Sequence, residues 1–130
     1  MTIKSKLMAA GAPGLLAQQI AGTFANSLTA AGSTQGTAYQ MTTDDIQIFT
    51  TVAASTGAIF MPGTGSAPSP YSAGDEVQIT NHGANTLSVY PATGGKIANG
   101  SANAAFSVPA NKTAFFISLD GLSWAASVSN

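Results

Sequence analysis

Residues 112–128 alternate with a period of two, interrupted once. Thr113, Phe115, Ile117 and Leu119 interleave with Ala114, Phe116 and Ser118; Asp120-Gly121 breaks the run; Leu122, Trp124, Ala126 and Val128 resume it. A period of two belongs to strands, whose successive side chains point to opposite faces. Asp-Gly supplies two residues that tolerate positive φ, so a tight primed turn can fold the second run back on the first. Trp124, in phase with Leu122, is expected to point inward as core. The rest of the chain is arranged around this final hairpin.

Short strand patterns recur upstream. Ala38–Met41 reads as a weak strand and Asp45–Val52 as a stronger one, with Ile46, Ile48 and Val52 on one face and Gln47, Phe49 and Thr51 on the other. Ala58–Met61 follows. Glu76–Thr80 and Thr86–Tyr90 place Val77, Ile79, Leu87 and Val89 inward, and the five residues Asn81–Asn85 suit a hairpin loop. Pro91 ends that strand, and Ala105–Val108 is one more before Pro109-Ala110-Asn111 leads into the last hairpin. About eight short strands with polar turns predict an all-β fold, a compact antiparallel β-sandwich or jelly-roll-like barrel spanning residues 37–130. The loops Pro62–Gly74 and Thr93–Ser101 are candidate contact sites.

Residues 1–36 differ in kind. From Leu7 to Thr43 no residue is charged, so something is expected to cover this stretch. Leu16, Ile20, Phe24 and Leu28 recur every four residues, and Pro13 suits the first turn of a helix because its missing N–H is not needed there. A short helix over Gly14–Ala21 is predicted, with irregular chain from Gly22 to Gly36. The segment reads as an N-terminal arm. Its apolar stripe, Leu16, Ile20, Phe24 and Leu28, either docks on the chain's own sheet or makes the contact with a neighbouring subunit or larger partner.

Charge restricts the partners. Nine of 130 residues are charged, with four lysines and no arginine, where about a quarter is usual. Nucleic-acid binding needs clustered cations and is not expected; anionic membrane surfaces are disfavoured for the same reason. The lysines at 4 and 6 followed by Leu7-Met8-Ala9-Ala10 imitate a secretion signal, but Gly11, Pro13 and Gly14 cut its apolar run, so a product left in the cytoplasm where it is made is expected. Absence of cysteine removes disulfides and thiolate chemistry.

No catalytic, cofactor-binding or metal-binding constellation is expected. His82 is the one histidine, placed in a turn, without the orienting carboxylate and oxyanion hole that a triad requires. Asp44-Asp45 and Asp75-Glu76 fall where loops become strands, and adjacent strand side chains diverge, so these pairs read as turn formers and edge charges. Gly63-Thr64-Gly65 shares only two glycines with a phosphate loop.

One run carries a family likeness. Val89-Tyr90-Pro91-Ala92-Thr93-Gly94-Gly95-Lys96-Ile97, then Ala104–Val108, then Lys112–Trp124 resembles a module of tailed-bacteriophage virion proteins, small head-decoration or head-fibre proteins with related units in tail fibres. The resemblance covers about Gln18–Val128 and brings no catalytic residues. It implies a structural protein on the virion surface that attaches to the phage head, with the major capsid protein or another virion protein as partner. A homotrimer is expected. The alternative is a tail-fibre or receptor-binding tip that holds host glycans with its loops.

Overall fold

The computed structural model describes residues 23–63 and 69–130. They form nine strands and no helix: β1 (Phe24–Thr29), β2 (Tyr39–Gln40), β3 (Ile46–Thr51), β4 (Gly57–Ile59), β5 (Glu76–Asn81), β6 (Leu87–Tyr90), β7 (Phe106–Val108), β8 (Lys112–Ser118) and β9 (Trp124–Val128). One sheet has the order β1-β3-β5-β8-β9 and the other β2-β4-β6-β7. Both sheets are mixed, which corrects the antiparallel body expected. β1–β3, β3–β5, β2–β4 and β4–β6 are parallel; only β5–β8, β6–β7 and β8–β9 are antiparallel. Through β6 the chain visits the two sheets alternately, so each parallel neighbour is reached by way of a strand in the opposite sheet. Parallel pairing always requires a crossover, and here the crossovers are themselves strands. Hydrophobic alternation encodes which face is buried and says nothing of strand direction.

That winding explains a second correction. Residues 81–85 are no hairpin loop: β5 and β6 lie in different sheets, and this stretch carries the chain between them. Asn81 fixes the corner. Its side chain is fully buried; Nδ2 donates to the Asn85 carbonyl at 2.8 Å and the Val108 carbonyl at 2.9 Å, while Oδ1 accepts from Gly83 N–H at 2.8 Å. Gly83 is obligatory there, since a Cβ would lie 2.6 Å from the Val52 side chain.

Inward side chains of both sheets share one core. Phe60 and Trp124 stack at 4.2 Å and 12°, Tyr71 meets Trp124 edge-on at 4.9 Å, and Phe116 meets Phe60 at 5.3 Å. Trp124 is 1% exposed, inward as expected and in phase with half-buried Ala126 and Val128, whereas Leu122, which the sequence put in the same phase, is exposed in the turn. Its backbone also accepts from Ala98 N–H and donates to the Lys96 carbonyl, tying the loop after β6 to the start of β9. Val77, Ile79, Leu87 and Val89 point inward as expected. β3 is phased by Gln47 and Phe49, which are buried, while Ile46 faces out.

The final hairpin is present, but its turn is longer than the two residues expected. Leu119 N–H donates to the Ser123 carbonyl, and Asp120 Oδ1 accepts from the N–H groups of Leu122 and Ser123. Gly121 has φ of 92°, whereas Asp120 is not among the positive-φ residues, so a primed turn with two such residues is not formed. At the other end of the chain, residues 24–29, expected as irregular, form β1 and pair with β3. The sheet therefore takes in residues N-terminal to 37. The predicted helix at Gly14–Ala21 lies outside the described residues.

Two stability outcomes follow from this packing. Trp124→Ala should cost about 3–5 kcal/mol in denaturant unfolding, because it empties the centre of the aromatic stack. Asn81→Ala, although it removes little volume, should cost on the order of 3 kcal/mol, because it strands the buried Gly83 N–H and removes the amide bonds to Asn85 and Val108 that hold the corner. A loss under about 0.5 kcal/mol, the level of an ordinary surface change, would show that the corner holds without its amide.

Candidate functional site

The buried faces of β8 account for Ala114, Phe116 and Ser118; the alternate set, Phe115, Ile117 and Leu119, is left outside. Both faces of this strand are apolar, and the sheet has only one inner side. The register extends the outer set into a row. Phe24 lies beside Ile46, Ile46 beside Gln78, Gln78 beside Phe115 and Phe115 beside Ser127, which crosses all five strands. Glu76, Ile117 and Ala125 form the next row. Phe24 is 62% exposed, Phe115 48% and Ile117 43%. An open groove of about 640 Å³ runs along this face, lined among others by Ile46, Gln78, Phe115 and Ile117, with Asp45, Asp75 and Glu76 at its end. Phe24 and Ile46 on one side of Gln78, with Phe115 and Ile117 on the other, place four large apolar side chains on the solvent side of the sheet, and such a cluster marks an interaction surface.

Chain direction collects the acids. β1, β3 and β5 are parallel, so their N-terminal ends share one end of the sheet, and Asp44-Asp45 before β3 comes beside Asp75-Glu76 at β5. Asp75 closes a turn as expected, accepting from Ser72 N–H, and Asp44 accepts from Thr42 Oγ1; what the sequence did not foresee is that sheet pairing brings the two acidic pairs together. Gln78 N–H donates to the Asp45 carbonyl at 2.7 Å, and Gln47 Nε2 holds the preceding turn through the carbonyls of Thr42 and Asp44. Gln47 Oε1 is buried and has no hydrogen-bond partner among the described residues.

Electrostatics record the crowding. Partial burial first, then Asp75 and Asp44, push the Asp45 carboxyl above its ordinary value of 3.8, against a lowering hydrogen bond from Thr23 N–H. Burial first, then Asp45, Asp75 and Asp44, push the Tyr71 phenol up to about 12. Asp120 is displaced the other way, lowered by the N–H groups of Ser123 and Leu122. Among the described residues no group of three or more His, Asp or Glu side chains is placed to hold a metal ion.

The other sequence candidates fall apart in space. Phe24 faces out on β1 while Leu28 turns toward the core beside Phe49, because Ser27 takes φ of 58° and an irregularity in the register separates them. Leu16 and Ile20 lie outside the described residues. His82 is exposed at the corner between the sheets. Tyr71 and Trp124 are interior. The loop at 93–103 is braced by Asn103, whose Oδ1 accepts from Gly94 N–H and Gln35 Nε2.

The outer row itself was readable only in part. Phe115, Ile117 and Leu119 were visible as one face of β8; which face turned outward depends on the partners of Phe116. No family model matches the chain, and neither curated proteins nor solved structures gave a match.

The acid corner has a pH signature. A carboxyl raised in the folded state weakens the fold when ionised; the penalty is complete above the folded pKa and disappears as pH falls toward 3.8. Asp120 has the opposite sign, but its contribution is lost only below 3.8, beneath this window. Asp45→Asn should therefore raise the melting temperature at pH 7, and the gap to the parent should narrow near pH 4. A gap that widens on acidification would reverse the assignment.

Proposed function

We propose that this chain is a structural protein of a tailed-phage virion, a head-decoration or head-fibre subunit without catalytic activity that stands on the head surface as a homotrimer. The observation that carries the reading is the set of exposed apolar side chains Phe24, Ile46, Phe115 and Ile117, in two adjacent rows on the outside of the five-stranded sheet. A surface of this kind is built to be covered, and among the described residues the charged groups that line its groove are the carboxylates of Asp45, Asp75 and Glu76, which disfavour phosphate or an anionic membrane as the covering agent. The likeness of residues 89–124 to phage virion modules supplies the setting. In the same reading the two sheets are the layers of a β-sandwich, and the residues before β1 are an arm.

Such a subunit works by area. Copies that bridge neighbouring capsomers bury surface that would otherwise stay wet, and whatever binds only the assembled shell stabilises that shell by mass action. The major capsid protein is the partner this requires. Sparse charge and a surface rich in Ser, Thr, Asn and Gly suit a protein that packs densely beside copies of itself.

Sedimentation with isolated virion parts tests the assignment. The full-length protein should pellet with phage heads and remain in the supernatant with tails. The double variant Phe115→Ser/Ile117→Ser, altered only at exposed positions, should keep its fold and lose assembly. Pelleting with tails, or retention on host glycans without head binding, would select the fibre-tip alternative.

A further inference from the structure

We propose that Asn26, exposed on β1, is a site of spontaneous covalent modification: in the folded protein its side chain closes to a succinimide with the Ser27 backbone nitrogen and reopens as aspartate or isoaspartate. The inference is independent of the assembly proposed above.

Sequence alone points elsewhere. Six asparagines lie between residues 23 and 129, at 26, 81, 85, 99, 103 and 111. The reaction needs the backbone nitrogen of the next residue to reach the asparagine Cγ, and a following glycine, without a side chain, hinders that least. Asn99-Gly100 is the one Asn-Gly pair, and it is exposed. Folding withdraws it. Gly100 N–H donates to the Ile97 carbonyl at 3.0 Å, so its nitrogen is held to that partner rather than to Asn99. The nitrogens after Asn81, Asn103 and Asn111 are held in the same way by the carbonyls of Phe49, Ser101 and Pro109. Asn85 is restrained through its own amide, whose Nδ2 donates to the Val52 carbonyl at 2.9 Å.

Asn26 is arranged differently. The β1–β3 register shifts between Ala25 and Leu28, and neither Asn26 nor Ser27 has a partner on β3. Ser27 takes φ of 58°, and its N–H turns back onto Asn26 Oδ1 at 2.7 Å. Here the hydrogen bond draws the nitrogen toward the carbonyl it attacks. With a C=O bond of about 1.23 Å, the nitrogen lies no more than about 3.9 Å from Cγ, near the roughly 3–3.5 Å of a near-attack geometry. Both residues are exposed, so hydroxide and water reach the pair.

The chemistry needs nothing else. Hydroxide takes the Ser27 amide proton, the nitrogen bonds to Cγ, and the Cγ–Nδ2 bond breaks; Nδ2 takes a proton from water and leaves as ammonia, which regenerates hydroxide. Water then opens the imide at either carbonyl. The sum is one water consumed and one ammonia released. Either product puts a carboxylate at position 26, and isoaspartate also lengthens the main chain by one carbon where the register already slips, two residues from Phe24.

Peptide mass spectrometry on the full-length protein tests this. One sample ages folded in mildly alkaline buffer, with circular dichroism confirming the fold, and a second ages in concentrated urea. In the folded sample the Asn26 peptide should gain the mass of an amide-to-acid conversion several-fold faster than the Asn99 peptide; in urea the order should reverse. Isoaspartate at position 26, read by electron-transfer fragmentation, separates the imide route from direct hydrolysis, which leaves aspartate alone. Asn99 ahead in the folded protein, an Asn26 rate no higher folded than in urea, or aspartate without isoaspartate would each overturn the proposal.

Discussion

Neither sheet of this protein can be assembled without the other. β1, β3 and β5 are neighbours in one sheet, but the chain between them forms β2 and β4, and the same holds in reverse for β4 and β6. Parallel strands cannot be joined by a tight turn, so the crossover has to run somewhere. Using a strand for each crossover makes every connection contribute core: Ala58 arrives on the way to β5 and Phe60 just after it, and Val77 and Ile79 on the way to β6. The stack of Phe60 on Trp124 then closes the winding by joining an early crossover to the last strand.

Strand positions and most inward residues were legible in the sequence, because burial on one face writes itself as alternation. Val77, Ile79, Leu87, Val89 and Trp124 are found where their phase puts them. Pairing direction was not legible. The Asn81–Asn85 segment has the composition of a hairpin loop, yet the amide of Asn81 turns it into a corner between sheets by bonding a carbonyl on β7, far along the chain. The phase of β3 was equally hidden: Gln47 is buried because it holds the turn before it, and no apolar pattern announces a glutamine in that role. Ser27, a serine at φ of 58°, divides Phe24 from Leu28 and so dissolves a fourfold spacing that read as one stripe.

The apolar row and the acid corner are products of the same topology. Parallel β1, β3 and β5 align their starts, which gathers four carboxylates from two distant dipeptides, and they align Phe24 with Ile46 as well. An antiparallel sheet of the same strands would have scattered both sets to opposite ends. The surface proposed for assembly is thus a consequence of winding rather than of any local motif, which is why composition and spacing alone pointed only toward it.

The winding also bears on synthesis. A chain emerging from the ribosome completes β1 to β6 first, and at that moment both growing sheets end in an unpaired edge, β5 in one and β6 in the other. β7 covers β6, and β8 then covers β5 with the longest antiparallel pairing in the molecule. Until residue 108 is available the half-made protein exposes both of these templates to any other strand, and until residue 118 it still exposes β5, the condition under which nascent chains aggregate. The last hairpin therefore closes the β5 edge that the earlier strands leave open, and hands the end of the sheet to the short strand β9.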